Sequence, residues 1–362
     1  MAKIAIVSDV HLGTRQYGLK ERYEDFLQAF RKFGHSLRGW RLDCVVIGGD
    51  LFDSPRPDAR SVLTAREVIR DITTGGFPVY GIDGNHDMSD GGWLRVIGVE
   101  PLEGQVVNVG GVSICGINYR SGRDLIATLQ EMVDQGIKAD ILVAHFALAE
   151  MNGGGSADTG VRELSPLLDK MGVKAVLMGH VHIPDCRKWN GVLYVNPGST
   201  EMKSVNEPQE KYYYILDTNK WEAEPVPIKT RRMEAVEIAD EQALLEFQGV
   251  LQKEAADVLD GKVVDRPFYH IMADDAIDDA FKRLSQLVHD TGAVARIVMQ
   301  STKTRDLAPV VDRKESVATL ESAIEARFPK ESAEARLTAT MLHSPEPSAI
   351  HLVVEKFMRE DK

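Results

Sequence analysis

The sequence is poor in cysteine, in excess basic charge and in long apolar runs. Its three cysteines, Cys44, Cys115 and Cys186, are too few and too scattered for a disulfide framework or a thiolate zinc site. No apolar stretch approaches the roughly 20 residues that span a bilayer. The first residues, MAKIAIVSDV, enter a strand pattern with neither a basic leader nor a cleavage site, so a cytoplasmic protein is expected. The formal net charge of −12 argues against a protein that coats nucleic acid through a basic surface. It leaves a nuclease open, because metal ions can neutralise a phosphate locally. The Arg56/Arg60 and Arg231/Arg232 pairs read first as ordinary solvated faces. Repeats and low-complexity segments are absent as well.

What is present is the pattern of an α/β protein. Residues 3–8, 43–48, 78–82, 140–144 and 174–178 are short aliphatic runs that fit buried strands. Cys44 falls in one of them, and Cys115 also reads as a buried strand residue. Between the first two runs, Tyr23, Phe26, Leu27, Phe30, Phe33 and Leu37 recur at helical spacing, and a second helix is expected over 58–72. Strands alternating with helices imply a sheet covered on its faces. GVLYVNPGST and KYYYILDT add later strands, and the proline-bearing EPVPIK reads as a boundary that ends a first domain at 1–228. Residues 229–303 then read as strand, helix, strand, helix, strand, a small α+β domain. Residues 304–362 form a tail with helical patterns at Lys314–Arg327 and around Ala349–Met358, set off by Pro309, Pro329, Pro345 and Pro347.

Chemistry gathers at the ends of the five strand runs. Asp9-Val10-His11 follows the first, and residues i and i+2 of an extended chain face the same side. Gly48-Gly49-Asp50 follows the second, Gly84-Asn85-His86-Asp87 the third, His145 the fourth and Gly179-His180-Val181-His182 the fifth. Open α/β sheets bind ligands at the carboxyl ends of their strands. Any one of these motifs is weak, since a lone histidine is more often a packed or solvated group. Five of the ten histidines at strand ends with Gly, Asp or Asn neighbours make a metal site the better reading. The other five, His35, His270, His289, His343 and His351, have no such setting.

Carboxylate, amide oxygen and imidazole without thiolate favour ions such as Mn²⁺ or Fe²⁺. Asp9, His11, Asp50, Asn85, His145, His180 and His182 exceed what one ion needs, so two ions sharing Asp50 are expected, polarising a water for attack on phosphorus. His86, beside Asn85, is placed to stabilise the transition state or protonate a leaving oxygen. Asp87 either orients that histidine or caps the following turn.

In this order the five motifs resemble the calcineurin-like metallophosphoesterase superfamily over roughly the first 200 residues. The resemblance implies a four-layer α/β/β/α sandwich. Asp9-Val10-His11-Leu12-Gly13, Gly49-Asp50-Leu51-Phe52-Asp53 and Pro197-Gly198-Ser199, with the small second domain as a capping domain, resemble more narrowly the SbcD and Mre-eleven type repair nucleases. That likeness implies a Mn²⁺-dependent DNA nuclease, a homodimer, working with an SbcC or Rad-fifty type coiled-coil ATPase. It also implies that Asp9, His11, Asp50 and His182 hold one ion and that Asp50, Asn85, His145 and His180 hold the other. Asp53 stands where archaeal and eukaryotic members commonly carry histidine. Two features depart from the family or are looser: a glycine-rich loop at 151–156, which suits either DNA contact or an ordinary flexible connection, and a short tail whose Val317, Leu320, Ile324 and Phe328 form an apolar stripe that suits either ATPase docking or packing on the second domain. The competing readings are a small-molecule phosphodiesterase or protein phosphatase of the same superfamily, and a non-catalytic scaffold. The complete ligand set weighs against the scaffold.

Overall fold

The computed structural model describes residues 2–88, 92–151, 157–260 and 266–300. Residues 152–156 of the glycine-rich loop and the tail patterns beyond 300 therefore lie outside the described residues. The chain divides into two compact units, Met1–Ala273 with Ile277–Met299, and Asp274–Ala276 with Gln300–Lys362. The first unit carries the strands and helices that position the site.

In chain order the elements are β1 (Lys3–Val7), α1 (Lys20–Ser36), β2 (Cys44–Ile47), α2 (Ala59–Thr74), β3 (Val79–Gly81), α3 (Trp93–Ile97) and β4 (Glu100–Pro101). They continue with β5 (Val106–Val109), β6 (Val112–Ile117), α4 (Gly122–Asp134), β7 (Ile141–His145), α5 (Val161–Met171), β8 (Ala175–Gly179), β9 (Asp185–Trp189) and β10 (Val192–Asn196). Then come β11 (Lys211–Asp217), β12 (Glu222–Ile228), β13 (Met233–Ile238), α6 (Glu241–Leu259), β14 (Phe268–Asp274), α7 (Ala280–Thr291) and β15 (Val294–Gln300).

Two six-stranded sheets, in the orders β12-β11-β1-β2-β3-β4 and β5-β6-β7-β8-β10-β9, carry the architecture. Alternation along β1 explains how they stack. Ile4 and Ile6 join Val46, Ile141, Val143, Ala175 and Leu177 in a core shared by both sheets. Ala5 and Val7 face the other way, into a core with Phe30 and Phe33 of α1 and Val68 and Ile69 of α2. Leu142 and Val176 of the second sheet pack outward on Leu129 of α4 and Leu164 and Leu168 of α5. The result is helix layer, sheet, sheet, helix layer, with the interior strands β2, β7 and β8 buried on both faces. α2 starts where Asp58 accepts from the backbone N–H groups of Arg60 and Ser61, an N-cap that satisfies otherwise orphaned donors.

The EPVPIK segment, read as a boundary, is itself strand β12. It pairs antiparallel with β11 and lies at the end of its sheet, where Pro225 and Pro227 cost no interior ladder bond. Beyond it, β13, β14 and β15 form a three-stranded sheet that buries Leu244, Phe247, Leu251 and Leu284 of α6 and α7 with Tyr269 and Ile271. Among the described residues no helix is long and apolar enough to cross a membrane.

Candidate metal centre

The parallel pairs β1–β2, β2–β3 and β7–β8 all end on the same side, so the loops after them converge where the two sheets meet. The loops after β1 and β2 stay hydrogen-bonded past the strands: Asp9 N donates to Gly49 O (3.1 Å), His11 N to Asp50 O (2.9 Å) and Leu12 N to Leu51 O (2.9 Å). This sets Asp9 and His11 beside Asp50. The third and fifth loops are tied in through the carboxylates themselves. His86 N donates to Asp50 Oδ1 (2.8 Å), and His180 N to both oxygens of Asp9 (3.1 Å each). Asp9, His11, Asp50 and His180 have positive φ, between 51° and 93°, a conformation costly for non-glycine residues that clusters at functional sites. Close approach requires glycine alongside. A Cβ on Gly49 would stand 2.5 Å from His145 Nδ1, and one on Gly84 would collide with the Asp50 carboxylate.

The donor atoms gather tightly. Asp9 Oδ1 lies 3.9 Å from His11 Nε2, 3.8 Å from His182 Nε2 and 4.0 Å from His145 Nε2. Asp50 Oδ2 lies 3.7 Å from His11 Nε2 and 3.4 Å from His145 Nε2, so it sits between histidines of the two expected ligand sets. Asn85 Oδ1 lies 3.2 Å from His145 Nε2 and 3.0 Å from His180 Nδ1. Thus Asp9, His11 and His182 form one group of mutually close donors, and Asp9, Asp50 and His145 a second. Asp9 reaches both, a sharing the sequence pattern assigns to Asp50 alone.

The chemistry of these donors fits divalent cations. Two carboxylates, Asp9 and Asp50, are buried at 0% and 2% exposure, and the side chains converging on them are histidines rather than arginine or lysine. Burying such charge without a cation is costly. Without an ion His145 supplies the positive charge: burial alone would depress it, yet its hydrogen bond to Asp50 and the charges of Asp9 and Asp50 push it up to about 9. Asp50 correspondingly lies below its ordinary range, burial being outweighed by His145 and His11. His11 is pushed down to about 4, chiefly by burial with the Lys203 charge assisting, and so keeps a lone pair. Three of the four histidines also have an acceptor near the nitrogen turned away from the centre, as metal-ligating histidines do. These are Asp53 Oδ1 for His11 Nδ1 (3.3 Å), Glu207 Oε1 for His182 Nδ1 (3.1 Å) and Gly48 O for His145 Nδ1 (2.8 Å), whereas Asp158 Oδ2 lies 4.0 Å from His180 Nε2. His11 Nε2 and His182 Nε2 stand 3.1 Å apart, the separation of neighbouring ligands each about 2.1 Å from one ion.

His86 stands at the rim, its ring edge-on to His11 at 4.9 Å, with Nδ1 3.3 Å from the Asp53 carbonyl oxygen and 3.7 Å from Asp53 Oδ1. Asp87 has a different job. Its Oδ2 accepts from Leu51 N (2.7 Å) and Phe52 N (3.1 Å), and its Oδ1 from Gly84 N (2.7 Å). It therefore ties the second loop to the third, and Asp53 is the residue that meets the His86 ring. Burial and the neighbouring Asp50 charge push Asp87 up to about 7.

Sequence reasoning missed several supports. Asn196 Nδ2 donates to Val181 O and Ile183 O (2.8 Å each) and so fixes the loop of His180 and His182. Lys203 Nζ meets Asp53, Lys211 Nζ meets Glu207, and buried Arg22 binds Gln16, Asp25, Glu201 and the Met202 carbonyl oxygen. Their one local signal is the Pro197-Gly198-Ser199 turn that launches the segment carrying Glu201, Lys203 and Glu207.

Residues 2–220 match the model of the calcineurin-like phosphoesterase superfamily domain, and the chain belongs to that superfamily. The chain is accordingly a metal-dependent phosphoesterase, and its clustered carboxylates and imidazoles are donors that could hold a metal ion. Within the superfamily, the chain is 28% identical over 341 residues to the DNA double-strand break repair protein Mre11 of Haloferax volcanii, a match covering 90% of this chain and 67% of that protein. The Mre11 proteins of Archaeoglobus fulgidus and Aeropyrum pernix are each 29% identical, over 279 and 268 residues, covering 66% of this chain and 62% and 64% of their own lengths. The chain thus spans about two thirds of the length of the relatives it matches.

Proposed function

We propose that this chain is a Mn²⁺-dependent DNA nuclease, hydrolysing phosphodiester bonds as exonuclease and endonuclease in an SbcCD-like repair complex. The observation that carries the reading is the reach of the similarity. The superfamily match ends at residue 220, whereas the likeness to a double-strand break repair protein extends over 90% of the chain and so into the segment of β13 to β15.

In this reading Asp9, His11, Asp50 and His182 hold one ion, and Asp50, Asn85, His145 and His180 hold the other. Bound divalent ions supply charge to the phosphate and acidify a water for attack at phosphorus. The chain's own part is positional. Buried Asp9 and Asp50 fix the spacing of the ligand loops through the backbone of His180 and His86. In its doubly protonated form His86 would donate Nδ1–H to the Asp53 carbonyl oxygen and hand its Nε2 proton to the leaving oxygen, returning to the neutral ring. Mn²⁺ suits a set with no thiolate. The SbcC or Rad-fifty type ATPase and a homodimer built on α1 and α2, where Leu63 is exposed, complete the proposal. Residues 1–228 would then be the nuclease domain, 229–303 the capping domain and 304–362 the ATPase-docking segment.

The test is substrate choice. The Mn²⁺-loaded protein is incubated with linear duplex DNA and, separately, with a nitrophenyl phosphodiester. Cleavage of the duplex is expected; turnover of the small ester alone would assign the site to another branch of the superfamily.

A further inference from the structure

Two lysines pair with carboxylates that stand beside two of the site's histidines. Lys203 Nζ lies 2.8 Å from Asp53 Oδ1, that oxygen lies 3.3 Å from His11 Nδ1, and the ammonium itself lies 3.3 Å from the same nitrogen. Lys211 Nζ lies 2.6 Å from Glu207 Oε2, and the other oxygen of Glu207 lies 3.1 Å from His182 Nδ1. A neutral imidazole has its lone pair on one nitrogen only, and the partner of the other nitrogen decides which. Glu207 at His182 Nδ1 places the proton there and turns the His182 lone pair, at Nε2, to the centre.

The other two histidines lack this arrangement. His145 is backed by the carbonyl oxygen of Gly48, and the nearest carboxylate to His180 Nε2, Asp158, is 4.0 Å away. The lysine-backed carboxylates therefore serve one ligand set and not both.

The ammonium groups have a reason to be there. Asp53, His11 and His86 make a third group of donors close enough to hold an ion. An unpaired Asp53 would compete for a cation instead of orienting His11, and Lys203 neutralises it in place. Lys203 is itself held: Gln16 Nε2 donates to its carbonyl oxygen (2.5 Å), and Arg22 Nε donates to Gln16 Oε1 (2.9 Å). Lys211 also donates to Ser199 Oγ (2.9 Å), whose hydroxyl lies 3.1 Å from Glu207 Oε2, so that carboxylate is pinned from two sides.

We infer that Lys203 and Lys211 are positioning residues of the ion held by Asp9, His11, Asp50 and His182: each ammonium pins the carboxylate that stands beside Nδ1 of one histidine ligand. The inference rests on the proposed two-ion site. Removing such an outer partner typically costs about 10–100-fold in metal affinity.

The experiment is a calorimetric Mn²⁺ titration of the full chain, its Lys203→Met variant and its Lys203→Arg variant, with ¹⁵N-histidine NMR of the ion-free wild type. Wild type should bind two ions. Lys203→Met should weaken one of them about 10-fold or more and leave the other unchanged, and Lys203→Arg should restore both. The NMR spectrum should show His182 protonated at Nδ1. Two ions bound by Lys203→Met as tightly as by wild type, or His182 protonated at Nε2, would overturn the inference while leaving the two-ion reading intact. Fewer than two ions in wild type would remove that reading and the inference with it.

Discussion

Arg22 is fully buried, and its removal should show how firmly the segment beside the metal centre is tied down. Its guanidinium donates to Gln16 Oε1 (2.9 Å), Asp25 Oδ2 (2.7 Å), Glu201 Oε1 (3.1 Å) and Met202 O (2.8 Å). In Arg22→Met the stem volume is nearly kept, so the cavity contribution is small. Asp25 keeps Arg231, whose Nε and Nη2 lie 2.7 and 3.0 Å from its oxygens. Glu201, at 1% exposure, loses its cation. Breaking one buried pair in this way costs about 3–5 kcal/mol, a large share of a typical folding free energy of about 5–15 kcal/mol. The sign of the pH dependence follows from Glu201. Burial raises it above its ordinary value, with Arg22 opposing, and the variant loses that opposition. An acid raised on folding contributes stability at pH below its unfolded value, which is lost as pH rises through the folded one. The deficit of Arg22→Met should therefore be largest at neutral and alkaline pH and shrink toward the ordinary carboxylate range. Urea unfolding in the presence of a chelator, which removes ion-linked stabilisation, measures it. A deficit under about 1 kcal/mol, or one that grows as pH falls, would refute the assignment of Arg22 as the charge that holds Glu201.

His86→Ala should keep the wild-type Mn²⁺ stoichiometry yet lose about 10²–10⁴-fold in cleavage rate, the range of a general acid; full activity in single-turnover assays would remove His86 from the chemistry. Chelation should lower the unfolding free energy by about 2.7 kcal/mol per ion relative to protein at 100-fold Kd of Mn²⁺, and an unmoved unfolding midpoint would argue against ions bound to the folded state. Deleting residues 304–362 should abolish binding to the coiled-coil ATPase in a pull-down while sparing metal-dependent cleavage, and unchanged binding would place the docking site elsewhere.

The contrast between what was and was not legible is physical. Asp9, His11, Asp50, Asn85, His145, His180 and His182 lie directly after apolar strand runs, and parallel pairing of those strands brings them together. Local pattern was enough. Lys203, Glu207 and Lys211 lie in or just after a segment without periodicity, and Lys203 meets Asp53 across 150 residues of chain. No short-range signal reports such a contact. Asp87 shows a subtler limit: the sequence leaves open whether it orients His86 or caps the following turn, and its carboxylate meets three backbone N–H groups of the second and third loops. The prolines of β12 sit on the last strand of the first sheet, because proline suits boundaries and sheet edges alike.

The central claim is that Asp50 lies between two divalent ions and that these ions hydrolyse DNA. Mn²⁺ stoichiometry and cleavage of linear duplex DNA, measured side by side for wild type and Asp50→Ala, test it most directly. Wild type should bind two ions and cut, and the variant should lose both properties. Wild type that binds two ions and leaves duplex DNA intact, or an Asp50→Ala variant that cuts like wild type, would contradict it.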